Sequence, residues 1–225
     1  MYHPARLDSL PVDPTIDDVR LFLPPFIADE AVFDGWTDAA RDAAAAAQGV
    51  DAGLAQLAFD AGAVDMIEAW ISHIDAQMIE TFPAERVATM KIRERIQSLV
   101  AFRFQAVTHQ REALRRAVAI LAMPTNLARS AKLSWRTADL MWRLAGDTAT
   151  DYNHYTKRTL LSGVYGSTLM AFLDDESPEF QDTYGFLARR IENVMQFEKA
   201  KAKFTGKGER ISLSRFLGRL RYPAR

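Results

Sequence analysis

Cysteine is absent from all 225 residues, which excludes disulfides, thiolate nucleophiles and thiolate metal ligands and fits a reducing compartment. Basic side chains are almost missing from the first third. Residues 1–80 hold Arg6, Arg20 and Arg41 against fifteen acidic groups, a net of −12, so the remainder carries +11 of the overall −1. A polyanion is therefore repelled by one part of the chain and attracted by the other. No apolar run approaches about 18 residues, so no transmembrane helix is expected. The opening MYHPARLDSLPVDPTIDD lacks a basic start followed by an apolar stretch, and no signal peptide is expected either. The four histidines are too scattered for a metal site. No Ser-His-Asp set, phosphate loop, dinucleotide fingerprint or carboxylate–histidine di-iron motif is present. The expectation is a protein without catalysis or cofactor.

What the chain does contain is helix. Its 48% hydrophobic content supports a substantial core. A short helix over Ile16 to Ala28 is interrupted at Pro24-Pro25. Thr37 caps an alanine-rich helix that Gly49 ends, and Asp51 caps another. Helix, glycine turn, helix is the shape of a helix-turn-helix, and the spacing resembles the N-terminal domain of TetR-type repressors. DNA binding is not expected from it: Ala52 to Asp60, where a recognition helix would lie, has no Lys or Arg, and duplex affinity depends on neutralising phosphates.

Val64, Ile67, Trp70, Ile71, Ile74 and Met78 then give an amphipathic helix stopped by Pro83. Ala84 to His109 reads as one helix with a solvated basic face of Arg86, Lys91, Arg93, Arg95 and Arg103 that could orient the protein at an anionic surface. Arg111 to Met123 is shorter. Asn126 to Leu144 is apolar on two sides, which suits a central helix or a cavity wall. The helix from Asp151 to Leu173 carries Gly163 and Gly166, a cost of about 1 kcal/mol each relative to alanine that asks for a close contact. Ser177 and Pro178 open a last bundle helix from Glu179 to about Phe197, and these two long helices suggest a two-fold four-helix dimer interface. Asp139, Asp147, Asp151, Asn153, Tyr155, Lys157 and Arg158 crowd one short region more than core packing requires, which suggests a site. Arg158 could equally be a structural partner of Asp147 or Asp151.

Lys199 to Arg225 holds nine basic residues and one acid. At about 100° per residue, Leu213, Phe216, Leu217 and Leu220 share one arc, with Arg215 and Arg219 outside it. Such a segment reads as membrane-surface binding or helix-in-groove docking, against the alternative of a tail packed back on the body.

Trp142, Gly146, Asp147, Asp151, Asn153, Tyr155, Thr156, Arg158, Tyr165, Thr168, Asp182, Thr183, Phe186 and Leu187 stand at a spacing that resembles the ubiquinone (coenzyme Q) biosynthesis accessory family Coq nine. The resemblance is specific from Trp135 onward and weaker upstream through IRERIQSLVAFRF and LAMPTN. It implies an all-α, TetR-like helical bundle, forming a homodimer without nucleic-acid binding. It divides the chain into a helix-turn-helix-like segment (1–60), a lipid-binding and dimerisation segment (61–200) and a membrane-binding tail (201–225). A phospholipid or isoprenoid quinone would lie against Arg158, Trp135, Trp142, Leu161 and Tyr165. Asp147, Asp151, Asn153, His154 and Tyr155 would face a di-iron demethoxyubiquinone hydroxylase. The family often has Trp where this chain has His154, so an altered partner surface is expected. The implied protein presents quinone precursors from the membrane and is cytoplasmic, peripheral to the inner membrane, or on the matrix side of the mitochondrion in a eukaryote. A TetR-type regulator and a helical enzyme acting on the quinone ring are the alternatives.

Overall fold

The computed structural model describes residues 2–148 and 152–205, with side chains for 2–148 and 154–196. These residues form helices joined by turns, and no strand occurs among them. The all-α expectation holds.

Local chemistry sets most helix ends. Thr15 and Asp18 form a reciprocal capping box at α1 (Ile16–Phe22), and Pro24 opens α2 (Pro24–Asp34), so the proline pair starts a helix rather than interrupting one. Thr37 accepts from the Ala40 amide to cap α3 (Asp38–Ala47), and Asp51 accepts from Leu54 to cap α4 (Ala52–Ala58). These four helices pack on one another and against α5 (Ala63–Thr81). A single hydrophobic cluster then runs from Val19 through Trp70, Phe104 and Phe172 to Ile191.

The long helix expected over Ala84 to His109 is two helices, α6 (Ala84–Ala88) and α7 (Ile92–Gln105). The break is built in: Lys91 takes an extended conformation and donates its amide to the Glu94 carboxylate, while Arg95 Nε holds the Met90 carbonyl. The expected basic face is also divided. Arg103 is 3% exposed and pairs with the wholly buried Asp75 of α5, so it belongs to the core. Arg95 turns inward to the Ala145 carbonyl at 2.8 Å.

The remaining helices are α8 (Arg111–Leu121), α9 (Leu127–Leu144), α10 (Tyr152–Asp174) and α11 (Gln181–Thr205). In α9 one expected apolar row is partly outside: Leu127 is 55% exposed, whereas Leu133, Leu140 and Met141 are buried. A Cβ added at Gly163 or Gly166 would meet open space, so the close contact expected of them is not made among the described residues.

The last helix starts at Gln181, not Glu179, because Glu179 and Phe180 adopt positive φ in a 3-10 turn. Asp175 provides the cap. Its carboxylate accepts from the amides and hydroxyls of Ser177 and Thr183 at 2.6–2.8 Å. Burial alone would raise its pKa, but those four donors outweigh it and hold the group at about 2. A depressed carboxylate stabilises fully above its unfolded value of about 4 and loses that contribution as pH falls towards about 2. Asp175→Asn is therefore expected to lower the urea midpoint at neutral pH and to flatten its acid dependence. An unchanged acid limb would assign the sensitivity to other carboxylates.

Candidate apolar binding site

The turn between α9 and α10 positions the crowded polar residues. Gly146 adopts φ 88° and closes α9, with its amide on the Arg143 carbonyl and that of Asp147 on the Trp142 carbonyl. A side chain here would suffer the positive φ and meet Arg95 Nη1 at 3.1 Å. The turn aims Asp147 inward, and its side chain is only 5% exposed. It binds Lys157 Nζ at 2.5 Å and Arg158 Nη1 at 3.1 Å. Arg158, 2% exposed, also donates to Asp139 at 2.6 Å and to the His154 carbonyl at 3.0 Å. Desolvation pushes the Asp147 pKa up, but the Lys157 and Arg158 hydrogen bonds outweigh it and leave the pKa below the ordinary value. The structural pairing of Arg158 with Asp147 is present, and Asp139 joins it.

Beside this network lies a cavity of about 500 Å³ between α7, α9, α10 and α11. Its walls include Ile96, Trp142, Leu161, Val164, Ile191 and Met195. Polar groups stand at its edges: Arg93, bridged to Glu192 at 2.5 Å, and Lys157, whose Nζ lies 5.3 Å from the Trp142 ring centre. Trp142 Nε1 donates to the Lys157 carbonyl at 3.0 Å, tying α9 to the start of α10. An apolar chamber of this size with a few polar groups at the rim is the ordinary form of a small-molecule site.

Of the residues assigned to a lipid from the sequence, Trp142 and Leu161 line this cavity. Arg158 stands behind the wall, its guanidinium engaged by two carboxylates. Tyr165 stacks on Phe104 at 5.5 Å and its hydroxyl accepts from Arg103 Nε at 3.3 Å, within the core. Trp135 instead meets the rings of Tyr155 at 5.9 Å and His154 at 6.3 Å. The expected partner patch divides likewise. Tyr155 is 60% exposed and His154 half-buried, whereas Asp147 belongs to the cavity wall. The Asn153 side chain, Asp151 and the tail residues Leu213, Arg215, Phe216, Leu217, Arg219 and Leu220 lie outside the described residues. Sequence reasoning missed the contributions of Ile96, Ile191 and Met195. Each falls on an ordinary apolar helical stripe that carries no mark of a cavity.

Comparison with known proteins bears on the same region. Residues 127–198 match the COQ9 family model. The mitochondrial ubiquinone biosynthesis protein COQ9 of Bos taurus is 29% identical over 187 residues, 79% of this chain and 57% of that protein. COQ9-B of Xenopus laevis is 39% identical over 95 residues, 42% of this chain and 32% of that protein. The chain thus spans between a third and rather more than half of these curated relatives. Among solved structures, a TetR transcriptional regulator from Nitrosomonas europaea superposes with a TM-score of 0.62 at 19% identity, covering 77% of this chain and 98% of that one, a likeness of fold. The resemblance read from the sequence holds: from α9 into α11 this chain is similar to COQ9 proteins, and it carries that similarity on a TetR-like fold.

Proposed function

We propose that the protein acts in ubiquinone biosynthesis as a non-enzymatic accessory protein, taking a phospholipid or isoprenoid quinone precursor into the cavity lined by Trp142, Leu161 and Val164. That cavity is the observation that carries the reading. Its walls are apolar, as a hydrocarbon chain requires, and Lys157 and Arg93 at its edges offer charge to a phosphate or polar quinone head. The relatives named above are ubiquinone biosynthesis proteins, which selects the quinone pathway from among the users of apolar ligands. In this reading the chain is a homodimer paired through α10 and α11, works at a membrane surface with its basic tail as anchor, and hands the precursor to a demethoxyubiquinone hydroxylase docked around Tyr155 and His154.

A TetR-type regulator is the reading that the fold likeness favours. The net charge of −12 over residues 1–80 and the absence of Lys and Arg from α4 weigh against it, since phosphate neutralisation supplies most duplex affinity.

Mass spectrometry of organic extracts from purified protein tests the proposal. Quinone or phospholipid is expected both with the full chain and with a version ending at Lys203, and Leu161→Gln is expected to reduce its yield several-fold. Lipid recovered only from the full-length chain would move the binding to the tail. No lipid in either, together with unchanged ubiquinone on deletion of the gene, would remove the assignment.

A further inference from the structure

A second cavity, of about 200 Å³, lies between the N-terminal arm, α1, α5 and α9. Its lining is mixed: Arg20, Glu68, Ser72, His73 and Arg136 stand beside apolar groups such as Leu21. Two of its charged groups are already neutralised: Arg20 holds Asp65 at 2.7 Å, and Glu68 holds Arg129 at 2.8 Å. Arg136 is different. Its Nη2 donates to Ser72 Oγ at 3.2 Å and its guanidinium lies 4.2 Å from the Tyr2 ring centre, yet no carboxylate among the described residues pairs with it. Its Nε is buried without an acceptor. His73 is 6% exposed and lines the same cavity; its Nδ1 is also buried without a partner.

A buried polar atom without a partner is rare, and here two belong to side chains that line one small cavity. Water would complete the hydrogen bonds, but it leaves the charge of Arg136 unbalanced. The volume exceeds the share of a single water, about 30 Å³, several-fold. We infer that this cavity binds a small free oxyanion, a carboxylate or phosphate, through Arg136 and His73. Tyr2 closes the site: its ring covers Arg136, and its hydroxyl sits 3.1 Å from Ser72 Oγ and 3.0 Å from Asp75 Oδ2.

The charge state of His73 fits this assignment. Desolvation and then Arg6 push its pKa down, while a hydrogen bond from the ring to the Leu21 carbonyl, then Asp8 and Glu80, act in the opposite direction. Arg20, Glu68 and Arg136 face it across the cavity. Burial thus favours the neutral ring, and an anion would supply the charge that lets Nδ1 take a proton and donate it in a hydrogen bond.

The test is nuclear magnetic resonance of the histidine ring nitrogens in the full chain, with His73→Gln used to assign the signal. Inorganic phosphate and acetate are titrated at constant ionic strength against chloride. Phosphate or acetate is expected to move the His73 resonances saturably towards the protonated form, with chloride inert. Arg136→Gln is expected to weaken binding about tenfold, as for loss of one charge-assisted hydrogen bond, and Arg136→Lys to recover part of it. Circular dichroism of both variants checks that they fold. A His73 signal that follows chloride equally, or equal affinity in a folded Arg136→Gln, would overturn the inference. So would a response to phosphatidylglycerol vesicles alone, which would make the anion a lipid headgroup.

Discussion

Asp75→Ala is expected to destabilise the protein by about 3–5 kcal/mol, the usual cost of leaving one member of a buried ion pair without its counter-charge. Asp75 is wholly buried and Arg103 is 3% exposed. They bind each other directly, with the Tyr2 hydroxyl on Asp75 and the Tyr165 hydroxyl on Arg103. Burial works against the Arg103 charge, but Tyr165 and Asp75 outweigh it and hold its pKa above the ordinary arginine value. The guanidinium cannot shed its proton when Asp75 is removed, so it must recruit water into the core or pull α7 away from α5. The double variant Asp75→Leu with Arg103→Met is expected to recover most of the loss, because two apolar side chains of similar size need no counter-charge. Urea denaturation reads both results as midpoints at unchanged slope. A single-variant loss under about 1 kcal/mol would show that Arg103 finds another partner or reaches solvent.

The second large effect is expected at Arg158. Arg158→Leu removes the cation that holds Asp139 and Asp147 together, at a cost of about 3 kcal/mol for a pair this buried. It also changes the pH dependence. The depressed pKa of Asp147 means that its contribution is complete above the ordinary carboxylate range and is lost as pH falls through the lower folded value. Without Arg158 that pKa rises, leaving Lys157 as partner, so the loss begins at higher pH. Arg158→Lys keeps the charge but not the fork that reaches two carboxylates and the His154 carbonyl, and an intermediate midpoint is expected. Lipid yield from Arg158→Lys separates two roles. A structural Arg158 leaves the yield of the folded variant close to wild type, whereas a group contacting the head loses it in proportion to the missing hydrogen bonds. The geometry supports the structural role, since Lys157, with a side chain 39% exposed, is the more available cation at the cavity.

Several features were open to reading from residue order because their causes lie within one turn of helix. Thr37, Asp51 and Gly146 act on backbone groups two to four positions away, so capping rules found them without knowledge of the fold. The same local physics misled where two signals compete. Ala84 to His109 carries helical periodicity throughout, and the Lys91–Glu94 cap that divides it is overlooked when only the apolar period is followed. Asp75 was detectable in principle: it stands four positions after Ile71 on the stripe that continues to Met78, and a carboxylate there requires a buried partner. Which partner was not legible, because Arg103 lies 28 residues away on a face that looks solvated.

By itself, then, the amino-acid order determined an all-helical chain, most of its helix ends, the acidic and basic division, and the family-like motif from Trp142 to Leu187. All of these depend on composition or on neighbours within a few residues. Only the tertiary structure decided that Arg103 is core, that Asp147 lines a cavity, that Trp142 lines it while Trp135 does not, and that His73 and Arg136 share a second one. Burial and counter-charge are properties of helix faces that meet across the fold, and one-dimensional spacing says which residues share a face but not what that face meets.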